Sequence, residues 1–566
     1  MKKLISLVLA LTMLFALMAP TASVSAVNTS TPIIYIRGNG TDLYNADNQK
    51  IAADISQVSL GDDGEDSKSK IIETATNILI PFVTEGLIFD EWDNYGKALY
   101  DELSPLLDEA ILDGDGNPRY GTGIGKAAED SNTYRSNKNY INKDGTYNIR
   151  DYSFTYDWRL DPFYNADLLH TFIKSILNAT GASQVSIVTR CLGGIVLNAY
   201  LQKYGKEGLV KNALYGDTLA SGCSAISKGF SGQVKFDSEN LQRYEGQLIH
   251  CANLEKGVGF AIPALADEII QSTLNFFNQI GATDKLLEPI ESLYNRLYKA
   301  LIPALFQSFG YGSMPAYWAT VYEEDFDLAL EVMFGKEGSE ARTYYAGLIE
   351  KITYYRDNVT SQLPELYKKF AAPVEEGGYG VHIGTVSKYG YVNPPAIEGS
   401  DALNDSTVDL ADASLGATTA IVGRTLSDKY IADRVAEGKG KYISFDKQVD
   451  TSTCVFPETS WVIKNQHHSF GETIFEIAFE FCNGTNVTVE TSSFPRFIMF
   501  DEQTETWTAM TEDNCADLEF ITLPSVEEPT TESIFVAAMR WFTLLFKVIG
   551  MLLKGEISFG EAKEIL

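Results

Sequence analysis

Histidine is scarce in this chain, with five in 566 residues, at positions 170, 250, 382, 467 and 468. Any chemistry that needs an imidazole must draw on one of them. Basic charge is also short. Lys and Arg number 45 against 76 Asp and Glu, a formal charge of -31. Nothing in such a chain compensates phosphate charge along a basic face, which argues against nucleic acid as a partner. Six cysteines, at 191, 223, 251, 454, 482 and 515, are too few for a disulfide scaffold, and none stand in C-x-x-C spacing. That removes the usual zinc signature, and the sequence calls for neither metal nor cofactor. No internal repeat stands out. What remains, at 45% hydrophobic and 21% charged residues, is a globular chain long enough for a large core.

The two ends read differently from the middle. Residues 1–26, "MKKLISLVLALTMLFALMAPTASVSA", have the lysines, apolar run and small residues of a secretory signal peptide. The expectation is a secreted or cell-surface protein, in a compartment where disulfides persist. Residues 523–532 form a linker with Pro524 and Pro529, and residues 533–566 an amphipathic helix. Arg540, Lys547 and Lys554 lie seven apart, which on a helix makes one narrow basic stripe. A helix in a membrane interface keeps that stripe wet and buries Phe535, Trp541, Phe542 and Phe546. The competing reading packs this helix on the protein's own surface.

Between the ends, short apolar runs alternate with helical spacing. "PIIYI" reads as a strand, and "DYSFTYDWRLDP" alternates like another. In "NADLLHTFIKSILNATGAS", Leu168, Leu169, Phe172, Ile173, Ile176 and Leu177 recur at helical spacing, with Gly181 as the stop. "VSIV" and "VKNALYGD" are further strands. This succession predicts a mostly parallel α/β sheet flanked by helices. Residues 27–223 form its first part, 224–371 an inserted helical cap, and 372–522 its second part with a late hairpin at "RFIMFDEQTETWTAM".

Chemistry concentrates at "VSIVTRCLGGIVLNAYL", Val185 to Leu201. A strand enters a glycine-containing corner and a helix leaves it, the layout of a nucleophile elbow, G-x-S-x-G. Cys191 stands where that motif has serine. The elbow requires an acid and then a histidine later in the chain. His467 and His468 follow the predicted strand "SWVIKNQ", where the general base belongs. The acid candidate is Asp405 in "NDSTVDLADASLGA", with Asp401 and Asp409 as neighbouring competitors.

Several of these segments together resemble one family. "YDWRLDP", "TRCLGG", "LYGDTLASGCSAI", "YGSMPAYW" and "NDSTV" are similar to stretches of the lecithin:cholesterol acyltransferase and lysosomal phospholipase A2 family, which has the α/β-hydrolase fold. "PIIYIRGNGTDL" resembles its P-G-x-x-G oxyanion loop. The matches run in family order from about Pro32 to His468. The resemblance implies Cys191 as nucleophile, Asp405 as acid and His468 or His467 as base. It also implies oxyanion donors at the backbone N–H groups of Leu192 and Asn39. Asp157 and Arg159 match its D-W-R motif and are expected to pair at a strand end. Three departures stand out. Cys191 replaces serine, Thr189 the first elbow glycine, and Arg37 the proline of the oxyanion loop.

The resemblance implies a lipase-like acyl-ester hydrolase or acyltransferase acting on lipid through a Cys-His-Asp triad. Cysteine is a competent nucleophile as a thiolate, and Arg190 and a helix N-terminus adjoin it. Two alternatives stay open. One is a catalytically silent lipid- or glycan-binding homologue, silenced for example by a Cys191–Cys223 disulfide. The other is a thioesterase or amidase. Of Phe276, Phe277, Leu305, Phe306 and Trp318 in the cap, most are expected to be ordinary core between helices, and the resemblance implies that some line an acyl-binding groove.

Overall fold

The computed structural model describes residues 31–39, 41–52, 91–125, 152–233, 299–391, 402–469, 471–501 and 504–515, with a few isolated positions between 77 and 296. The signal segment, the linker, the C-terminal helix, His250, Cys251, Phe276 and Phe277 lie outside the described residues.

Ten strands are described: β1 (Ile33–Ile36), β2 (Ser153–Phe154), β3 (Val185–Cys191), β4 (Val210–Thr218), β5 (His382–Tyr389), β6 (Thr418–Thr419), β7 (Val449–Asp450), β8 (Ser460–Lys464), β9 (Phe497–Asp501) and β10 (Thr506–Ala509). Eight of them form one sheet in the order β10-β9-β8-β5-β4-β3-β1-β2, and β6 and β7 pair separately. All neighbours in the large sheet are parallel except β9 and β10. The chain is therefore an α/β protein with a mostly parallel sheet flanked by helices.

Covering helices explain why the central strands are buried almost throughout. Tyr215 donates through its hydroxyl to Asn198 on the elbow helix Gly193–Tyr204, at 2.9 Å. A Cβ on Gly216, one residue on and so on the other face, would lie 2.6 Å from Ile474 of helix Glu472–Asn483. Buried on both faces, β4 has no reason to alternate polar and apolar residues. Helix Pro162–Thr180 packs beside the elbow helix. Asp161 caps its start by accepting from the Phe163 N–H at 2.9 Å, and Gly181 ends it with φ +70°.

One sequence reading needs correction. "DYSFTYDWRLDP" contributes only the two-residue β2, because the side chains that follow are bonded to loops. Between β4 and β5 the described chain is helical, and there Trp318 is core: its ring lies 5.0 Å from Phe230, 5.7 Å from Phe326 and 5.3 Å from Phe334. Phe306 joins the same cluster through Phe230 at 5.3 Å. The late hairpin is present as β9 and β10, with Trp507 opposite Phe500.

Because β3, β4, β5 and β8 run parallel, their C-terminal ends share one edge, where ligands of open α/β sheets gather. Cys191, Asp217, Asp405 and His468 all lie at or just beyond those ends.

Candidate active site

The corner after β3 is a strained elbow. Cys191 has φ +50°, in the left-handed region that a side chain resists, and the helix begins two residues later at Gly193. Packing requires that glycine: a Cβ there would sit 2.3 Å from the carbonyl oxygen of Ile36. Thr189, where the motif has glycine, is fully buried, and its Oγ1 donates to the Leu214 carbonyl at 3.4 Å. The elbow forms without its first glycine.

A second loop lies against the cysteine. A Cβ on Gly38 would fall 2.5 Å from Cys191 Cβ, 2.9 Å from its Sγ and 3.3 Å from the Leu192 nitrogen. Residues 37–39 therefore meet the elbow at the atoms an oxyanion site would need, with the exposed Asn39 next to Gly38. Tyr156 donates to the Arg37 carbonyl at 2.7 Å, and Trp158 Nε1 to the Thr41 carbonyl at 3.2 Å. Between these tethers sit Asp157 and Arg159. Arg159 Nε donates to Asp157 Oδ1 at 3.0 Å and Nη2 to Oδ2 at 2.7 Å. Its Nη1 donates to the Ala110 carbonyl at 2.9 Å. The D-W-R motif thus holds the loop rather than forming a strand.

His468 and His467 divide cleanly. His468 Nδ1 lies 2.9 Å from Asp405 Oδ2, and its backbone N–H donates to the Asp405 carbonyl at 2.9 Å. Asp405 Oδ1 in turn accepts from the N–H groups of Thr407 and Val408, at 3.0 and 2.8 Å. With Nδ1 engaged, Nε2 is the ring nitrogen left to act. The His467 ring instead pairs with Ser406 Oγ at 2.6 Å through Nε2 and Ser469 Oγ at 2.8 Å through Nδ1. Both its nitrogens are spent on serines, so the geometry of a base is held by His468 and not by His467.

A second acid escaped the sequence reading. Asp217, near the end of β4, places Oδ1 3.2 Å from His468 Nδ1. Its other oxygen lies 2.9 Å from Lys388 Nζ and 3.1 Å from Arg190 Nη2. Arg190 also donates to the His468 carbonyl, and Lys388 to the His467 carbonyl at 3.1 Å. Asp217 belongs to "LYGDT", and its place at a strand end after the nucleophile was the available signal. Asp401 lies outside the described residues. Asp409 accepts from Asn404 Nδ2 at 2.7 Å.

Asp217, Asp405 and His468 bring ligand atoms within 4.8 Å of one another, a set whose spacing alone fits a metal. The charges argue otherwise. Lys388 and Arg190 already bond the Asp217 carboxylate, and a divalent ion there would face two buried cations. Cys191 and Cys223 are both free thiols, and Cys223 Sγ donates to the Thr407 carbonyl at 3.6 Å. No disulfide occupies the elbow.

Burial weakens the His468 imidazolium, but the Asp217 and Asp405 carboxylates outweigh it and hold its pKa well above the ordinary histidine range. Asp217 is penalised by burial and held well below the ordinary carboxylate value by His468 and Lys388. Asp405 is pushed up to about 6 by burial and then by the Asp217 charge. His467 is driven down to about 4 by burial, then by the neighbouring His468.

No protein-family model and no curated protein matches the chain. Among solved structures, a chain of "The crystal structure of Tle4-Tli4 complex" is similar over 35% of this chain and 48% of its own, at 17% identity and a TM-score of 0.17. This chain thus spans under half the length of that one, and a likeness of that size carries no functional argument.

Proposed function

We propose that this chain is a thiol-dependent acyl-ester hydrolase or acyltransferase, of the kind its motifs resemble in the lecithin:cholesterol acyltransferase and lysosomal phospholipase A2 family. The observation that carries the reading is the strained Cys191 elbow, φ +50°, on the same sheet edge as His468 clamped by Asp405. Cys191 Sγ attacks the acyl carbonyl, and the backbone N–H groups of Leu192 and Asn39 receive the developing oxyanion. His468 Nε2 protonates the leaving alcohol and then takes a proton from the water or acceptor alcohol that releases the acyl group. Asp405 fixes the ring. The free thiols of Cys191 and Cys223 favour this reading over a redox-silenced binding homologue.

The test is a fluorogenic short-chain ester assay of wild type beside Cys191→Ala and Cys191→Ser. Wild-type turnover lost in the alanine variant is expected; equal rates in all three would overturn the assignment. The proposal extends to an exported enzyme brought to lipid by residues 533–566. Liposome co-sedimentation should then fall for a chain ending at Glu532, and equal partitioning would remove that part.

A further inference from the structure

Helix Pro162–Thr180 is apolar on more than the face it gives to the core. Leu169, Ile173 and Ile176 are fully buried, whereas Tyr164 and Leu168 of the same helix are 51% and 39% exposed. Asp161, Tyr164, Asn165, Leu168, Phe172 and Ser175 recur at helical spacing, and together they line one side of a cavity of about 890 Å³. Lys351 and residues 116–118 and 122–124 build the other side. A cavity of that size falls in the range of small-molecule sites. Asp157 also lines it, while its neighbours turn to the oxyanion loop, Tyr156 to the Arg37 carbonyl and Trp158 to the Thr41 carbonyl. Residues 156–159 thus stand between this cavity and the loop that meets Cys191. Neither Cys191 nor His468 is among the described lining residues.

The lining is amphipathic along the helix. Leu168, Phe172 and Ile124 give the cavity an apolar body. Asp161 and Asn165, one turn apart at the start of the helix, give it a polar end. Asn165 is 1% exposed, and its Nδ2 donates to the Asp157 carbonyl at 3.0 Å. Its Oδ1 is buried and finds no hydrogen-bond partner among the described residues. A buried acceptor in that state costs free energy until a donor reaches it. Asp161 adds a carboxylate, of which Oδ1 accepts from the Phe163 N–H at 2.9 Å. Lys351 Nζ donates to the Asp115 carbonyl at 2.6 Å and to Asn117 Oδ1 at 3.0 Å, and its charge partly offsets that of Asp161. A head group at this end must therefore donate hydrogen bonds and needs no net charge. We propose that the cavity binds an uncharged single-chain amphiphile with a hydroxyl head, of the monoacylglycerol or fatty-alcohol class. The hydroxyl meets Asn165 Oδ1 and Asp161, and the chain lies along Leu168 and Phe172. A carboxylate head would face Asp161 and an ammonium head Lys351, each of its own sign. The site goes beyond the hydrolase reading and does not require Cys191 to be a nucleophile.

The test is calorimetric titration of the full chain with dodecylglycerol ether, a hydroxyl-headed amphiphile with no ester to cleave. A single saturable site per chain is expected. Dodecanoic acid and dodecylamine should bind about tenfold more weakly or worse, since each brings a charge beside one of its own sign. Leu168→Arg, at a half-exposed position, should weaken binding of the ether by about tenfold or more, because it sets a cation in the apolar body. If that variant fails to fold, a diazirine-bearing form of the ether cross-linked to wild type decides. Its adducts, mapped by mass spectrometry, are expected within helix Pro162–Thr180. Absence of saturable binding overturns the inference, and so does undiminished binding by a folded Leu168→Arg variant. Adducts confined to the surroundings of Cys191 do the same. A charged amphiphile bound as tightly as the ether overturns the head-group assignment. Ester turnover read in parallel separates the two ideas. Turnover without ether binding sinks only this site, and ether binding without turnover sinks only the hydrolase reading.

Discussion

Two buried ion networks lie at the C-terminal ends of the sheet's parallel strands, and they are built on opposite lines. Around Arg159 one cation meets one carboxylate, and its remaining donors reach the Ala110 carbonyl and Thr122, at 2.9 and 3.2 Å. Neither Asp157 nor Arg159 has a positive φ. Around His468, two carboxylates crowd one imidazole, with Arg190 and Lys388 behind them. Cys191, Asp217, Ser406 and Asn465 nearby hold φ of +50°, +56°, +85° and +63°. A satisfied pair on relaxed backbone ties a loop in place. A crowded cluster on strained backbone is maintained against local preference, as functional sites are.

The largest effect that would break the contrast lies in the relaxed network. Arg159→Met leaves Asp157 buried without its partner, and breaking such a pair costs about 3–5 kcal/mol. A large fall in Tm is expected, and a Tm within a degree of wild type would deny the pair its structural role. Asp405→Asn should behave differently. Its carboxyl is already pushed up to about 6 by burial and by Asp217, and an amide oxygen can still accept from Thr407 and Val408. Stability within about 1 kcal/mol of wild type is expected at neutral pH, a small change by the scale of point mutants. Denaturant melts of the two variants side by side make the comparison.

A smaller, pH-dependent difference separates the adjacent histidines. His467 has its folded pKa depressed from 6.5 to about 4. Its contribution is present above about 6.5 and is lost as pH falls through about 4. His468, raised above its ordinary value, contributes stability at low pH that is lost as pH rises through its folded pKa. Thermal melts of wild type and His467→Gln should converge between about pH 6.5 and 4. Parallel curves across that window would mean that His467 is not buried in its neutral form.

Most of the site's skeleton was legible because chain order encodes it. Cys191 at the elbow, Asp405 after β5 and His468 after β8 each follow a strand, and strands announce themselves by apolar runs. Choosing between His467 and His468 was not legible: adjacent residues share a strand end, and only Ser406 and Ser469 show which ring is occupied elsewhere. Asp217 was missed although it lies at a strand end after the nucleophile, because that position alone does not name its partners. Its role comes from Arg190, Lys388 and His468, which are distant in sequence. Trp318 and Phe306 pack as the apolar pattern of a cap leads one to expect, while which cap residues line a groove was not legible, since apolar residues look alike whether they line a groove or fill a core.

The most direct test of the nucleophile assignment is to mix the protein with a p-nitrophenyl ester, quench early, and map the added acyl mass. An acyl thioester on Cys191, formed with a burst of nitrophenol and absent from Cys191→Ala, is the expected result. Steady ester turnover with Cys191 unmodified, or undiminished in Cys191→Ala, would contradict it.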